Sequence, residues 1–228
     1  MSESELAVRL RTLRSKLAEA AGAYPQPKIL AVTKTRTPDE ILPLAELGVD
    51  CIGENRVQEA LEKLPALEDR FQLHMIGRLQ RNKVRQIVPY AALIQSVDSL
   101  PLLTEVNRQA EKIEKRQRIL IQVSPAGEPQ KGGVDPAELP SLLREAAAMP
   151  AVEVRGLMAV MPDTEDQAYL LRLFRAMSEL FDRMTQEAPD GIIMTELSMG
   201  MSQDCLLAAA CGATMVRVGS ALFGPREV

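Results

Sequence analysis

Lys34 stands at the end of the apolar run Ile29-Leu30-Ala31-Val32-Thr33, and far downstream the chain reads Thr214-Met215-Val216-Arg217-Val218-Gly219-Ser220. The first is an amine delivered by a buried strand. The second is an arginine with a glycine–serine turn, delivered by another. An amine is the nucleophile that forms a Schiff base with an aldehyde. A turn containing glycine lets backbone N–H groups come close to a phosphate. Joined in one fold, these residues suit an aldehyde that carries a phosphate, and pyridoxal phosphate is the leading candidate.

Alternating elements must bring them together. Eight short runs read as strands: 28–33, 49–54, 72–77, 92–97, 118–123, 152–160, 194–200 and 215–219. Most are apolar on both faces, as in a parallel sheet covered by helices. Helical stretches lie between them. Thr37-Pro38-Asp39-Glu40 combines an N-cap, a proline at the first position and an acid at the third. Thr164 and Gln167 have capping-box spacing before a helix that ends near Pro189. Ser2 and Glu5 have the same spacing before the stripe Leu6, Leu10, Leu13 and Leu17, which Gly22 closes. The pattern predicts an α/β fold, a single (β/α)8 TIM-type barrel with an extra N-terminal helix. Residues 1–228 form one domain, with a leading helix over 1–22 and the barrel over 28–224. A doubly wound open sheet is the alternative, because periodicity does not show closure.

Barrels place function at the C-terminal ends of their strands. Lys34, Glu54 with Asn55, Gly77, Ser198 to Ser202, and Gly219-Ser220 all follow or end predicted strands, so they are expected on one rim. Lys34 shares the parity of Leu30 and Val32 and should face inward. Its other reading is a lysine that snorkels off the rim. Parity also turns Glu196, Ser198 and Gly200 inward on strand 7, and Met215, Arg217 and Gly219 on strand 8. An inward arginine among valines needs an acceptor. Glu196 is one candidate, and an acceptor on a bound ring is the other. The loops after strands 7 and 8 are the usual phosphate cradle of barrels, and Ser202 is placed to cap a helix starting near Gln203. His74, the sole histidine, reads as a hydrogen-bonded core residue. Arg78, Arg81, Lys83 and Arg85 form either a solvated face or an anion-attracting rim.

Bulk properties narrow the partners. A net charge of −4 gives no reason to expect nucleic acid, which usually demands a basic surface. No apolar run is long enough to span a bilayer, and the N-terminus lacks a signal layout. Cys51, Cys205 and Cys211 form no C-x-x-C pair, so reduced thiols in a cytoplasmic protein are expected and a metal site is not.

The segments Ala31-Val32-Thr33-Lys34-Thr35, Gly53-Glu54-Asn55-Arg56-Val57-Gln58-Glu59 and His74-Met75-Ile76-Gly77-Arg78-Leu79-Gln80-Arg81-Asn82-Lys83 form a recognisable set. They are joined by Arg155-Gly156-Leu157-Met158-Ala159, by Ser198-Met199-Gly200-Met201-Ser202-Gln203-Asp204 and by the closing run from Thr214 to Gly224. Together they resemble the pyridoxal phosphate homeostasis protein family across essentially the whole chain. The resemblance implies a fold-type III barrel like the N-terminal domain of alanine racemase, with pyridoxal 5′-phosphate held as a Schiff base on Lys34. It implies that Arg217 faces the pyridine nitrogen and that Ser198, Ser202, Gly219 and Ser220 hold the phosphate. Asn55 would lie near the ring, and Met158, Gly200 and Met201 complete the implied contacts. Met75 and Arg56 depart from the family, which often has an aromatic residue and a tyrosine there.

An arginine at the pyridine nitrogen donates a hydrogen bond but does not readily protonate the ring, which weakens the cofactor as an electron sink. Racemases of this fold type add an acid/base pair, one member a tyrosine that comes with a second domain. The sequence ends at Val228, and Tyr24, Tyr90 and Tyr169 have no evident claim to the rim. The expectation is a carrier that stores, buffers or delivers the cofactor, with no catalytic residue. Its partners would be pyridoxal phosphate and recipient apo-enzymes, and the chain a monomer or weak dimer. A small amino-acid racemase is the first alternative. A class I aldolase-like lysine acting on a sugar phosphate is the second.

Overall fold

Strands buried on both faces need neighbours on both edges and helices on one side, and closing the sheet satisfies all of them. In a computed structural model that describes residues 4–128 and 132–224, eight parallel strands close a barrel in sequence order. They are β1 (Lys28–Val32), β2 (Cys51–Glu54), β3 (Gln72–Met75), β4 (Leu93–Val97), β5 (Gln117–Val123), β6 (Val152–Ala159), β7 (Glu196–Ser198) and β8 (Met215–Val218). Closure is made by β1 against β8, with Leu30 opposite Arg217. The open-sheet alternative is excluded. Every predicted strand is present, and several are shorter at their ends.

The helices are α1 (Glu5–Ala21), α2 (Pro38–Ile41), α3 (Pro43–Glu46), α4 (Val57–Leu67), α5 (Val84–Ile87), α6 (Leu100–Glu111), α7 (Leu139–Ala147), α8 (Gln167–Glu187), α9 (Cys205–Ala210) and α10 (Ser220–Phe223). Leu170, Leu173, Phe174, Met177, Leu180 and Met184 form the buried stripe of α8, each stabilising the fold by about 1.5–3 kcal/mol. The leading helix buries Leu10, Leu13, Leu17 and Ala21 and packs on α9 and α10. Its N-cap is Ser4, whose hydroxyl accepts from Ala7 N; the expected cap Ser2 lies outside the described residues. For α8, Asp166 rather than Thr164 is the cap, accepting from Tyr169 N at 2.9 Å. A carboxylate two residues nearer the helix outcompetes the threonine. The Thr37–Glu40 pairing is as expected, with Glu40 accepting from Thr37 N at 2.8 Å.

Inside the barrel, Leu30, Cys51 and Met215 pack together with Val32 and Ile76, and Leu93, Leu120 and Met158 with Val160. Between them run polar side chains. Gly156 makes the wall possible: its φ is +148°, and a Cβ there would lie 1.9 Å from the Glu196 carbonyl oxygen. Only glycine fits.

Candidate functional site

A cavity of about 620 Å³ opens at the C-terminal ends of β1, β6, β7 and β8. Lys34, Met201, Ser202, Arg217, Gly219 and Ser220 line it, as do Asp163, Glu165 and Asp204. Four residues expected to touch a ligand are not among those lining this cavity. Asn55 follows β2 outside this lining, Met158 is packed into the barrel interior, and Gly200 faces α9. Ser198 is fully buried beneath the cavity. The cavity therefore occupies one half of the rim, and Glu54 and Gly77 are not among its lining residues. Glu54 has the opposite parity to Cys51 and Gly53, so it points outward between β2 and the helices, where it meets Lys63.

Lys34 directly follows Thr33, whose N–H donates to Gly53 O at 3.0 Å, continuing the β1–β2 ladder one residue past the strand. The turn then reverses through Thr35 at φ 65°, and Arg36 N closes it on Thr33 O at 3.0 Å. The lysine is thereby left half-buried at the cavity wall.

Arg217 rises from β8 into the barrel, 4% exposed. It donates to Ser198 Oγ at 2.8 Å and to Ala159 O at 2.7 Å. The candidate pairing with Glu196 is not formed, because Glu196 sits at the opposite end of the barrel with Lys28 and Thr214. Burial pulls the guanidinium down to about 10, with the charge of Asp204 working against it, so the group stays cationic at neutral pH. Among the described residues no carboxylate makes an ion pair with it within 4 Å. A buried cation satisfied only by neutral oxygens leaves a positive potential open to a ligand.

The loops after β7 and β8 are tied by one hydroxyl. Ser202 Oγ accepts from Gly219 N at 3.1 Å and from Ala221 N at 3.3 Å. Ser202 therefore serves the first turn of α10, not the helix near Gln203. Asp204 holds the N-cap position of that helix, α9, but its carboxylate makes no cap bond there and accepts from Met201 N at 2.5 Å instead. Burial raises the carboxyl of Asp204, and the Met201 N–H and the charge of Arg217 oppose the rise. Gly200 (φ +89°) lets the β7 loop press on α9: a Cβ would approach Ala208 Cβ to 2.5 Å.

A side-chain chain supports Arg217 from below. Ser198 Oγ donates to Gln95 Oε1 at 2.7 Å, and Gln95 Nε2 lies 3.0 Å from His74 Nδ1. His74 is thus a hydrogen-bonded core residue, as its isolation in a strand suggested. Gln95 was not anticipated; a lone amide at inward parity in Leu93-Ile94-Gln95-Ser96-Val97 was the available signal. Arg78 and Arg81 line a separate groove with Asp98 and Ser99. No group of three His, Cys, Asp or Glu side chains among the described residues suits a metal, and none of their helices is long and apolar enough to cross a membrane.

The chain as a whole is similar to known proteins. A model of the alanine racemase N-terminal domain matches residues 8–227. The pyridoxal phosphate homeostasis protein of Aquifex aeolicus is 40% identical over 201 residues, 88% of this chain and 87% of that one. The chain belongs to the pyridoxal phosphate homeostasis protein family. A solved structure of PipY from Synechococcus elongatus PCC7942 with PLP bound is 36% identical, with a TM-score of 0.85 over 96% of this chain and 100% of that chain. Alanine racemase from Clostridium difficile 630 is 16% identical, with a TM-score of 0.73 over 96% of this chain and 56% of that one. The second likeness is one of fold, whereas those to the homeostasis protein and to PipY extend to sequence.

Proposed function

We propose that this member of the homeostasis protein family binds pyridoxal 5′-phosphate as a Schiff base on Lys34 and stores, buffers or delivers it without sustained catalysis. The observation that carries the reading is the single cavity shared by Lys34, Arg217 and the Ser202–Gly219–Ser220 loops. The donor set fits the group. A primary amine suits the aldehyde, a buried guanidinium suits the ring acceptor, and a glycine–serine turn suits the phosphate. The relatedness to PipY, whose solved structure has PLP bound, supports the same assignment.

When bound, the cofactor supplies an electrophilic carbon and an electron-withdrawing ring. The chain's own residues limit its use. Arg217, cationic and fixed by Ser198 and Ala159, offers N–H donors and no proton to spare, so it does not strengthen the ring as an electron sink. None of the three tyrosines lines the cavity; Tyr24 and Tyr90 are each 49% exposed. Of the cavity carboxylates, Asp163 and Glu165 are exposed and Asp204 is engaged by Met201 N. A racemase needs an acid/base partner opposite Lys34, and among the described residues the cavity lining offers neither a tyrosine nor a histidine for that role.

Incubating loaded protein with alanine and a panel of other amino acids tests the carrier reading. Stoichiometric exchange without continuing racemisation or transamination is expected. Sustained turnover that Lys34→Ala abolishes would establish the racemase instead. Delivery to recipient apo-enzymes is checked by following their reactivation against a control with free cofactor.

A further inference from the structure

Outside the cavity, on the helix side of β1 and β2, four side chains form a closed cluster. Lys63 Nζ, on α4, lies 2.8 Å from Glu54 Oε1, 2.7 Å from Glu59 Oε1 and 2.7 Å from Thr33 O. Thr33 Oγ1 donates to Glu54 Oε1 at 2.7 Å, and Thr35 N donates to Glu59 Oε1 at 2.5 Å. The residues on either side of Lys34 are therefore both held, and one ammonium joins the two holds.

The arrangement is costly. Glu54 has a side chain 1% exposed, and its Oε2 finds no hydrogen-bond partner. Burial raises its carboxyl despite the bonds from Lys63 and Thr33. Burial acts the same way on Glu59, but Lys63 and the Thr35 N–H outweigh it and hold that carboxyl low. Thr35 is a β-branched residue in the left-handed region, a conformation that survives only where its surroundings over-determine it. A buried ion cluster is a weak source of stability, since apolar packing would usually serve as well. What this one does that apolar packing would not is accept from Thr35 N and donate to Thr33 O.

We propose that Lys63 and Glu59 are positioning residues for Lys34, clamping the turn on both sides of it so that its amine is presented to the cavity. Glu54 neutralises the clamp and orients Thr33. The proposal rests on the reading of Lys34 as the nucleophile, but the state of the turn can be measured without any cofactor.

The experiment compares wild type with Lys63→Met, Glu59→Leu and Glu59→Gln. Hydrogen exchange at the Thr35 amide reads the turn. The rate of covalent capture of pyridoxal 5′-phosphate reads the presentation of Lys34. Affinity for pyridoxine 5′-phosphate, which lacks the aldehyde, reads the cradle alone. Lys63→Met and Glu59→Leu should speed Thr35 exchange and slow capture by about tenfold or more, as displaced reacting groups do. Binding of pyridoxine 5′-phosphate should stay within about twofold, because the cradle shares no partner with the clamp. Glu59→Gln keeps an oxygen for Thr35 N and should behave nearly as wild type.

If Lys63→Met destabilises the fold, the double variant Lys63→Met with Glu54→Gln removes the stranded carboxylate and takes its place. Unchanged exchange and capture in the Lys63→Met and Glu59→Leu proteins, or equal losses of capture and of pyridoxine 5′-phosphate binding there, would overturn the clamp. Absence of any Lys34 adduct in wild type would instead defeat the functional reading, and the exchange data would still decide the clamp.

Discussion

Lowering the pH should destabilise this barrel through its one histidine. His74 is 4% exposed, with Gln95 Nε2 3.0 Å from its Nδ1. Gln95 Oε1 is already committed to Ser198, so its amide N–H must point at the ring. Nδ1 is then an acceptor, and the neutral tautomer carries its proton on Nε2. Protonation would set N–H against N–H, with no carboxylate among the described residues hydrogen-bonded to the ring. Burial accordingly lowers His74 from its ordinary 6.5 to about 4, Asp50 opposing the shift and Lys28 adding to it. The unfolded chain takes up this proton first as pH falls, so the contribution is fully present above about 6.5 and is lost on descent toward 4. The loss is roughly 3 kcal/mol at pH 4, from about 1.4 kcal/mol per pH unit over that window. Urea melts at pH 7 and pH 4 on wild type and on His74→Asn provide the assay. The asparagine oxygen keeps an acceptor for Gln95 but does not titrate, and carboxylates contribute alike to both proteins. Wild type should lose about 3 kcal/mol more than the variant. Ring resonances of a sole histidine give the same quantity directly by NMR. Parallel pH profiles, or a midpoint near 6.5, would refute the assigned tautomer and the network that depends on it.

Other perturbations report on other parts of the molecule. Ser202→Ala strands the N–H groups of Gly219 and Ala221; equilibrium titration with pyridoxal 5′-phosphate should show affinity weakened by about 1–3 kcal/mol. Gly156→Ala drives a Cβ into the Glu196 backbone, so chemical denaturation should register a loss of about 4 kcal/mol or more, or no soluble protein. Burial pushes the Cys51 thiol up to about 12 and Cys205 to about 11. Both should react with a thiol reagent at pH 8 at least about a hundredfold more slowly than after denaturation, followed by mass spectrometry.

The eight strands were legible because burial on both faces leaves continuous apolar runs, and the regular alternation with helices implied parallel pairing. Parity placed Lys34, Ser198 and Arg217 on the inner face, which is a local property of the chain. Which residues meet at one height is not local. Ser202 bonds to Gly219 across seventeen residues, and Ser198 to Gln95 across 103; both contacts depend on the stagger of a closed barrel. The same stagger confines the cavity to the ends of β1, β6, β7 and β8, so residues ending β2 and β3 lie elsewhere. Glu54 illustrates a different limit. It ends a strand, as a rim residue would, yet its parity is that of Ile52. Counting alternation from Cys51 would have turned it toward the helices. The i,i+4 pair Glu59 and Lys63 was also visible on α4, but nothing local distinguished it from the surface pairs common on helices.

The link between Lys34 and the cofactor is tested most directly by soaking the purified protein with pyridoxal 5′-phosphate, reducing with borohydride and mapping the modified peptide. A yellow preparation that bleaches on reduction, with the added mass confined to Lys34 and absent from Lys34→Ala, is the predicted result. A colourless protein, or stable modification at another lysine with Lys34 untouched, would contradict the account.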